Sequence, residues 1–316
     1  MLAEVASRAA RGHVMYLELM LTPEGLSSQL GKKLGWDGDF EKTLKALKDE
    51  GIPDAATAGI QSIKSAEAEK DNLLKCGTPK ADSGCSVTIR YLYQVLRELP
   101  PAQVYAQIIS GFMMAEDTSS GGVGLNLVQP EDGIGSMKNF SLEMRMLDYL
   151  RPIYTKAHIS LHAGELVPGL VPPSGLTFHI RESVLIGHAE RIGHGVDIMH
   201  EDDPYGLMKE MIRRNVLVEV CLTSNEVILG VTGEHHPLAT YLQYKVPVTL
   251  ATDDEGVSRS EMSIEYFKAA QNQGLGYLQL KSMAKNSLVH AFVGDAEKIV
   301  MEKKLDKEFS EFEKGY

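Results

Sequence analysis

The sequence predicts an α/β fold, a (β/α)8 barrel of the TIM type, and three observations predict it. Four short apolar runs each stop abruptly in polar side chains: 159–161 in His162-Ala163-Gly164-Glu165, 191–192 in Gly193-His194-Gly195, 216–221 in Leu222-Thr223-Ser224-Asn225, and 246–251 in Thr252-Asp253-Asp254. These runs recur about thirty residues apart, the length of one βα unit. Helical periodicity fills the spaces around them, at 177–187, Pro204–Arg214, 237–244 and 260–272. A parallel barrel gathers the C-terminal ends of its strands around one pocket and carries its chemistry there. His162, Glu165, His194, Asp253 and Asp254 are therefore expected in a single cavity. An open doubly wound sheet is the structural alternative, but no Gly-rich phosphate loop follows an early strand.

Upstream, residues 13–21 alternate as a strand that ends at Thr22-Pro23. The composition then changes as far as about residue 100. Gly and Ser come early, charged helical stretches follow at Phe40–Glu50 and 60–74, and a further helix is expected at 87–99, stopped by Pro100-Pro101. Such a stretch is longer than a βα connection requires and reads as an insertion over the mouth or side of the barrel. The next strands are expected at 105–114 and 123–128, the second ending in Gln129-Pro130-Glu131-Asp132, with a helix at 142–156. The tail, 275–312, reads as mostly helical and charged. The strands then number seven, one short of a closed barrel. A barrel opens on a strand, whereas this chain opens on a helical pattern at Leu2–Arg11. The first βα unit is expected to be missing, and residues 1–316 to form one barrel with an insertion at about 24–100.

Composition narrows the function classes. A chain with 43% hydrophobic and 24% charged residues is an ordinary globular one. Its net charge of −11 argues against a nucleic-acid backbone as partner, because that binding rests on Lys and Arg displacing counterions. No apolar run approaches the ~20 residues of a membrane span, and no charged n-region followed by an apolar h-region marks a signal peptide. Of the three cysteines, Cys221 falls in a core strand and reads as a small buried hydrophobe. Cys76 and Cys85 flank a turn-rich loop. A disulfide between them would point to a periplasmic or secreted protein, free thiols to a cytoplasmic one.

His162-Ala163-Gly164-Glu165, Arg191-Ile192-Gly193-His194-Gly195 and Thr252-Asp253-Asp254, in that order, resemble the motifs of the adenosine deaminase family of zinc amidohydrolases. Ser224-Asn225 and His236-Pro237 are similar to it as well. The strand 124–128 with Glu131-Asp132 resembles the secreted, growth-factor-type branch. The likeness covers about residues 2–23 and 103–295, and implies a metal-dependent hydrolase. It implies hydrolytic deamination of adenosine or 2′-deoxyadenosine to the inosine product and ammonia, by a water that Zn²⁺ activates. It further implies His162 and Asp253 as zinc ligands, Glu165 as the acid that protonates a purine ring nitrogen, and His194 as the residue that orients the water. Asp253 would also assist deprotonation of that water. Asp254 would face the purine N7, which only accepts hydrogen bonds. An ionised carboxylate cannot donate, so Asp254 is expected to hold a proton when substrate is bound.

Two departures from the family pattern matter. Members carry a His-x-His pair at the end of the first barrel strand, and none of the ten histidines here forms one. His13 begins its strand, ~20–25 Å from the pocket at ~3.3 Å per residue. His235-His236 are expected to cap or pack a helix, and His179 and His188 to lie on the wrong face. His200 is the remaining stand-in. With His162 and Asp253 alone, zinc has two protein ligands where catalytic sites usually have at least three, so weak metal binding and slow or absent turnover are expected of a chain lacking that segment. Second, Gln129 stands where the family has a glycine whose backbone N–H reaches a purine nitrogen, and Asn126 stands where an aspartate is usual. Gln129 either crowds that contact or replaces it with its own amide. A deaminase of another aminopurine or adenosine derivative, and a catalytically silent nucleoside-binding module, are the competing readings. The expected partner is a small purine nucleoside, and the sequence leaves the oligomeric state open.

Overall fold

The computed structural model describes residues 1–315. In chain order the elements are α1 (Leu2–Arg11), β1 (Tyr16–Leu21), α2 (Leu26–Leu34), α3 (Phe40–Glu50), α4 (Ile52–Leu73), β2 (Thr88–Leu96), α5 (Pro101–Glu116), β3 (Gly122–Val128), α6 (Ile134–Leu150) and β4 (His158–Ala163). There follow α7 (His179–Leu185), β5 (Arg191–His194), α8 (Pro204–Arg214), β6 (Leu217–Val220), α9 (Leu222–Leu229), α10 (Leu238–Tyr244), β7 (Val248–Leu250), α11 (Glu255–Ser258), α12 (Met262–Gln273), α13 (Tyr277–Val289) and α14 (Asp295–Glu313). The seven strands lie side by side in the order β1 to β7. Every pairing is parallel, as helical crossovers between successive strands require.

The sheet curls as a partial (β/α)8 barrel, and its concave side is closed by a buried ion cluster. Glu18 of β1 pairs with Arg191 of β5, four strands away, and Arg191 Nε lies 2.7 Å from Glu219 Oε1 of β6. Glu18 Oε1 also accepts from Tyr16 at 2.5 Å and from the Phe292 N–H at 2.6 Å. The Phe292 ring covers the Arg191 guanidinium at 3.7 Å. Removing one partner of such a buried pair leaves a lone charge, at a cost of about 3–5 kcal/mol.

Register is what places the site. Ala163 of β4 pairs with His194 of β5, Gly193 with Glu219 of β6, and Val220 with Leu250 of β7. The last residues of four consecutive strands therefore stand in one row, and the polar residues after them emerge at one rim. Along β2 and β3, Leu96 pairs with Val128, which brings Arg97 and Gln129 to the same rim.

Two expected elements exchange types. Residues 87–99, expected as a helix, contain strand β2, and 105–114, expected as a strand, lie inside helix α5. β2 is rich in β-branched and aromatic residues (Thr88, Ile89, Tyr91, Tyr93, Val95), which suit a pleated surface. Pro101 occupies the first turn of α5, where its missing N–H costs nothing, so Pro100-Pro101 begin a helix instead of stopping one. α5 is buried on nearly all sides, between the sheet and helices α2, α4 and α6. A helix apolar all round has no polar stripe to betray its period.

Of the other helices, α3 and α8 fall at the expected residues, whereas α4 and α6 each begin eight residues before the expected 60–74 and 142–156. Helices α2–α4 lie between β1 and β2, and Leu47, Ile52 and Ile63 join the same hydrophobic core as Leu161 and Val218. Cys76 and Cys85 are disulfide-bonded and Cys221 is a buried free thiol. The disulfide closes a turn that docks on α1: Ser7 Oγ donates to Asp82 Oδ1 at 2.6 Å. No helix among the described residues is long and apolar enough to cross a membrane.

Candidate metal and active site

The rim gathers His162, His194 and Asp253, whose ligand atoms all lie within 4.8 Å of one another. His162, partly exposed, is the penultimate residue of β4. Asn126 of β3, fully buried, fixes the His162 ring: its Oδ1 accepts the His162 backbone N–H at 3.0 Å and pairs with Nδ1 at 2.9 Å. A backbone N–H can only donate, so the facing amide atom is the oxygen and Nδ1 carries the ring proton. Nε2 is left with its lone pair. Burial holds the ring far below the usual imidazole range, so it is neutral.

His194 ends β5 at φ +71°, buried, its ring centroid 5.2 Å from that of His162. Its Nδ1 pairs with Asn225 Nδ2 of α9 at 2.9 Å, and its Nε2 stands 4.0 Å from Asp253 Oδ2. Of the flanking glycines only Gly195 is required by space. It sits at φ +59°, and an added Cβ would come 2.6 Å from the Tyr241 hydroxyl, whereas one on Gly193 would make ordinary contacts.

Asp253 follows β7 at φ +52°, a left-handed turn that sends its carboxylate inward. Its Oδ2 accepts from Ser224 Oγ at 2.6 Å. Asp254 is exposed at the rim and leads into α11. Burial and then the neighbouring Asp253 charge push its carboxyl above the usual range, the direction its expected proton needs. Arg8 of α1 pairs with Glu255 at 2.9 Å, tying the first helix to this turn.

Glu165 lies beside this group. Its Oε1 is buried without a hydrogen-bond partner, 3.6 Å from His194 Nδ1, and burial raises its pKa. Its position is set from behind by Glu131, whose two oxygens accept the N–H groups of Gly164 at 2.9 Å and Glu165 at 2.7 Å, while His179 Nδ1 pairs with it at 2.6 Å. Burial alone would raise Glu131, yet the His179 bond and charge hold it down at about 2. Gly164 between them has φ +78°, and a Cβ there would come 2.6 Å from Asp197 Oδ1.

The sequence reading missed Arg97 and Glu131. Arg97 is fully buried just beyond β2; Nε and Nη2 donate to the Gln129 carbonyl at 3.0 and 2.8 Å, and Nη1 to the His162 carbonyl at 3.2 Å. Once 87–99 is read as a strand, Arg97 falls at a strand end like the other site residues. Glu131 was visible as a motif carboxylate, but nothing in the chain order shows it reaching under Gly164.

The remaining histidines stay outside the group. His13, His200 and His235 are exposed, and His200 is not among the ligand atoms gathered with His162, His194 and Asp253. His188 pairs with Asp148, and His236 is buried behind His194 with its Nδ1 accepting the Leu238 N–H at 3.1 Å. Gln129 keeps a glycine-like backbone at φ +84°, and its side-chain oxygen accepts the Glu98 N–H at 3.0 Å.

The donor set is of the type that holds a divalent cation, but with His162 and Asp253 as the ligands it supplies two where catalytic zinc sites usually have at least three, so weak binding is expected. His162 offers a neutral imidazole nitrogen whose other ring N–H is bound to a carbonyl oxygen, the usual arrangement of a ligating histidine, and Asp253 offers a carboxylate. A curled parallel sheet with this group at its C-terminal rim has the architecture of an amidohydrolase. The adenosine deaminase family model matches residues 1–308, and the chain belongs to that family. It is similar to the adenosine deaminase of Yersinia enterocolitica, with 30% identity over 94% of this chain and 87% of that relative. In structure it resembles an adenine deaminase from Arthrobacter aurescens (TM-score 0.67, 20% identity, 98% of this chain and 78% of that one). It also resembles an amidohydrolase from Burkholderia ambifaria with bound zinc (TM-score 0.66, 17% identity, 99% and 74%). Family membership places the chain among hydrolases that deaminate adenine nucleosides.

Proposed function

We propose that this chain hydrolytically deaminates adenosine or 2′-deoxyadenosine, releasing ammonia, with Zn²⁺ held by His162 and Asp253. The observation that carries the reading is the buried, unpaired Oε1 of Glu165 beside the His162, His194 and Asp253 cluster. A zinc ion held there would supply Lewis acidity, which lowers the pKa of a water to about 7. The residues of the chain do the rest. His194 orients the attacking water, and Asp253 takes its proton and returns it to the amino group that leaves as ammonia. Glu165, whose raised pKa favours the acid form, protonates N1 of the purine as C6 is attacked. Asp254 donates to N7 while it keeps its proton. Gln129 has its side-chain oxygen engaged by Glu98, which leaves its amide NH₂ to meet the purine.

The partner is a small purine nucleoside, and the Cys76–Cys85 disulfide suits an oxidising compartment. Gln129 in a glycine's place favours one second reading, a sibling deaminase for another aminopurine. Ammonia release measured across adenosine, 2′-deoxyadenosine, adenine and N6-substituted analogues separates the two. The Glu165→Gln variant should keep its zinc and lose turnover by about 10²–10⁴-fold; unchanged turnover overturns the assignment.

A further inference from the structure

Two residues behind the site touch neither the candidate ion position nor a purine, yet they are buried: Asn225 at 0% and His236 at 2% exposure. They join His194 to the start of α10 in a series of hydrogen bonds that reads in one direction only. The Leu238 backbone N–H, which can only donate, points at His236 Nδ1 at 3.1 Å. Nδ1 therefore holds a lone pair. Burial holds the His236 ring down to about 4, so it is neutral and its one proton sits on Nε2. That N–H donates to Asn225 Oδ1 at 3.1 Å. The amide orientation is thereby fixed, and its NH₂ donates to His194 Nδ1 at 2.9 Å. With Nδ1 accepting, the proton of a neutral His194 is on Nε2, the atom aimed at Asp253.

We propose that His236 and Asn225 are positioning residues that set His194 as an Nε2–H donor, so that it hydrogen-bonds the attacking water and does not ligate the metal. Only His162 Nε2 and Asp253 of the clustered atoms are then ligands. The adjacent histidine has the opposite setting, because Asn126 presents oxygen where Asn225 presents nitrogen. This inference rests on the deaminase reading for its consequence, but its structural content stands apart from turnover.

The test is long-range ¹H–¹⁵N correlation on histidine-labelled protein at pH 7.5, metal-free and zinc-loaded, with steady-state kinetics on the same samples. In the wild type, His194 should show the Nε2–H tautomer and His162 the Nδ1–H tautomer. His194 found as Nδ1–H or as the cation overturns the proposal whether or not the variants below fold. Asn225→Asp puts a carboxylate oxygen against His194 Nδ1, which should acquire a proton, with kcat falling about 100-fold and KM changing less than about 3-fold. His236→Leu should mix the His194 tautomers and lower kcat, and His236→Gln, whose amide can still donate to Asn225 Oδ1, should restore both. An unchanged tautomer and kcat in Asn225→Asp also overturns it. Wild-type protein that shows the expected tautomers but deaminates no adenine derivative refutes the deaminase reading and leaves the tautomer setting established.

Discussion

His162 and His194 stand side by side on adjacent strands, their ring centroids 5.2 Å apart, and each has its Nδ1 held by a buried asparagine at 2.9 Å. The residue types are the same on both sides and the consequences are opposite. At His162 the asparagine's acceptor is fixed by a backbone N–H of the same histidine. At His194 its donor is fixed from behind by His236. One ring faces the cavity with a lone pair and the other with a proton. What a histidine does in this pocket is decided by which end of a neighbouring amide it meets.

The largest effect that would break this comparison is on metal affinity. His162→Ala should lower zinc affinity by at least about 100-fold as measured by calorimetry, since a ligand is lost. His194→Gln should leave affinity within a few-fold and lower kcat by about 10²–10⁴-fold. Equal loss of metal in the two variants would make both rings ligands. A smaller effect is expected one layer out: Asn126→Ala should weaken zinc binding by about 10- to 100-fold by freeing the His162 ring, whereas Asn225→Asp should change kcat more than affinity.

Protonation of the carboxyls sharpens the contrast further. Glu165 must be the acid form to protonate N1, and its raised pKa extends that form upward in pH. The activity profile should therefore fall on the alkaline side as Glu165 ionises. The remaining effect is on stability. Asp197 has both oxygens buried without partners, and burial, with Glu131 and Glu201 nearby, pushes its carboxyl up to about 9. The folded chain keeps this proton while the unfolded chain releases it near its ordinary value. Stability should then decline as pH rises from about 4 towards 9. Asp197→Asn should flatten that decline in urea melts taken at pH 5 and pH 8.5, and an identical slope would show that Asp197 is ionised in the folded protein.

The C-terminal half of the fold was legible because each strand from β4 to β7 announces its end with a change from apolar to polar residues, and parallel register then aligns those ends. The N-terminal half misled for a physical reason. α5 lies inside the protein with no polar face, so its apolar run resembles a strand, and the prolines before it suit a helix start as well as a helix stop. Strand β2 was lost in the exchange, and with it Arg97, which binds the ends of β3 and β4. Glu131 and the partnership of Asn225 with His236 depend on contacts between residues 11 to 34 positions apart. No spacing rule in a single sequence reports those.

The most direct test of the account is ammonia release from adenosine by the purified chain, assayed with excess zinc and after chelation. Slow release matched by inosine formation is expected, dependent on the excess zinc because the site has two protein ligands, and reduced about 10²–10⁴-fold in Glu165→Gln. Release that persists without metal and in that variant would contradict it.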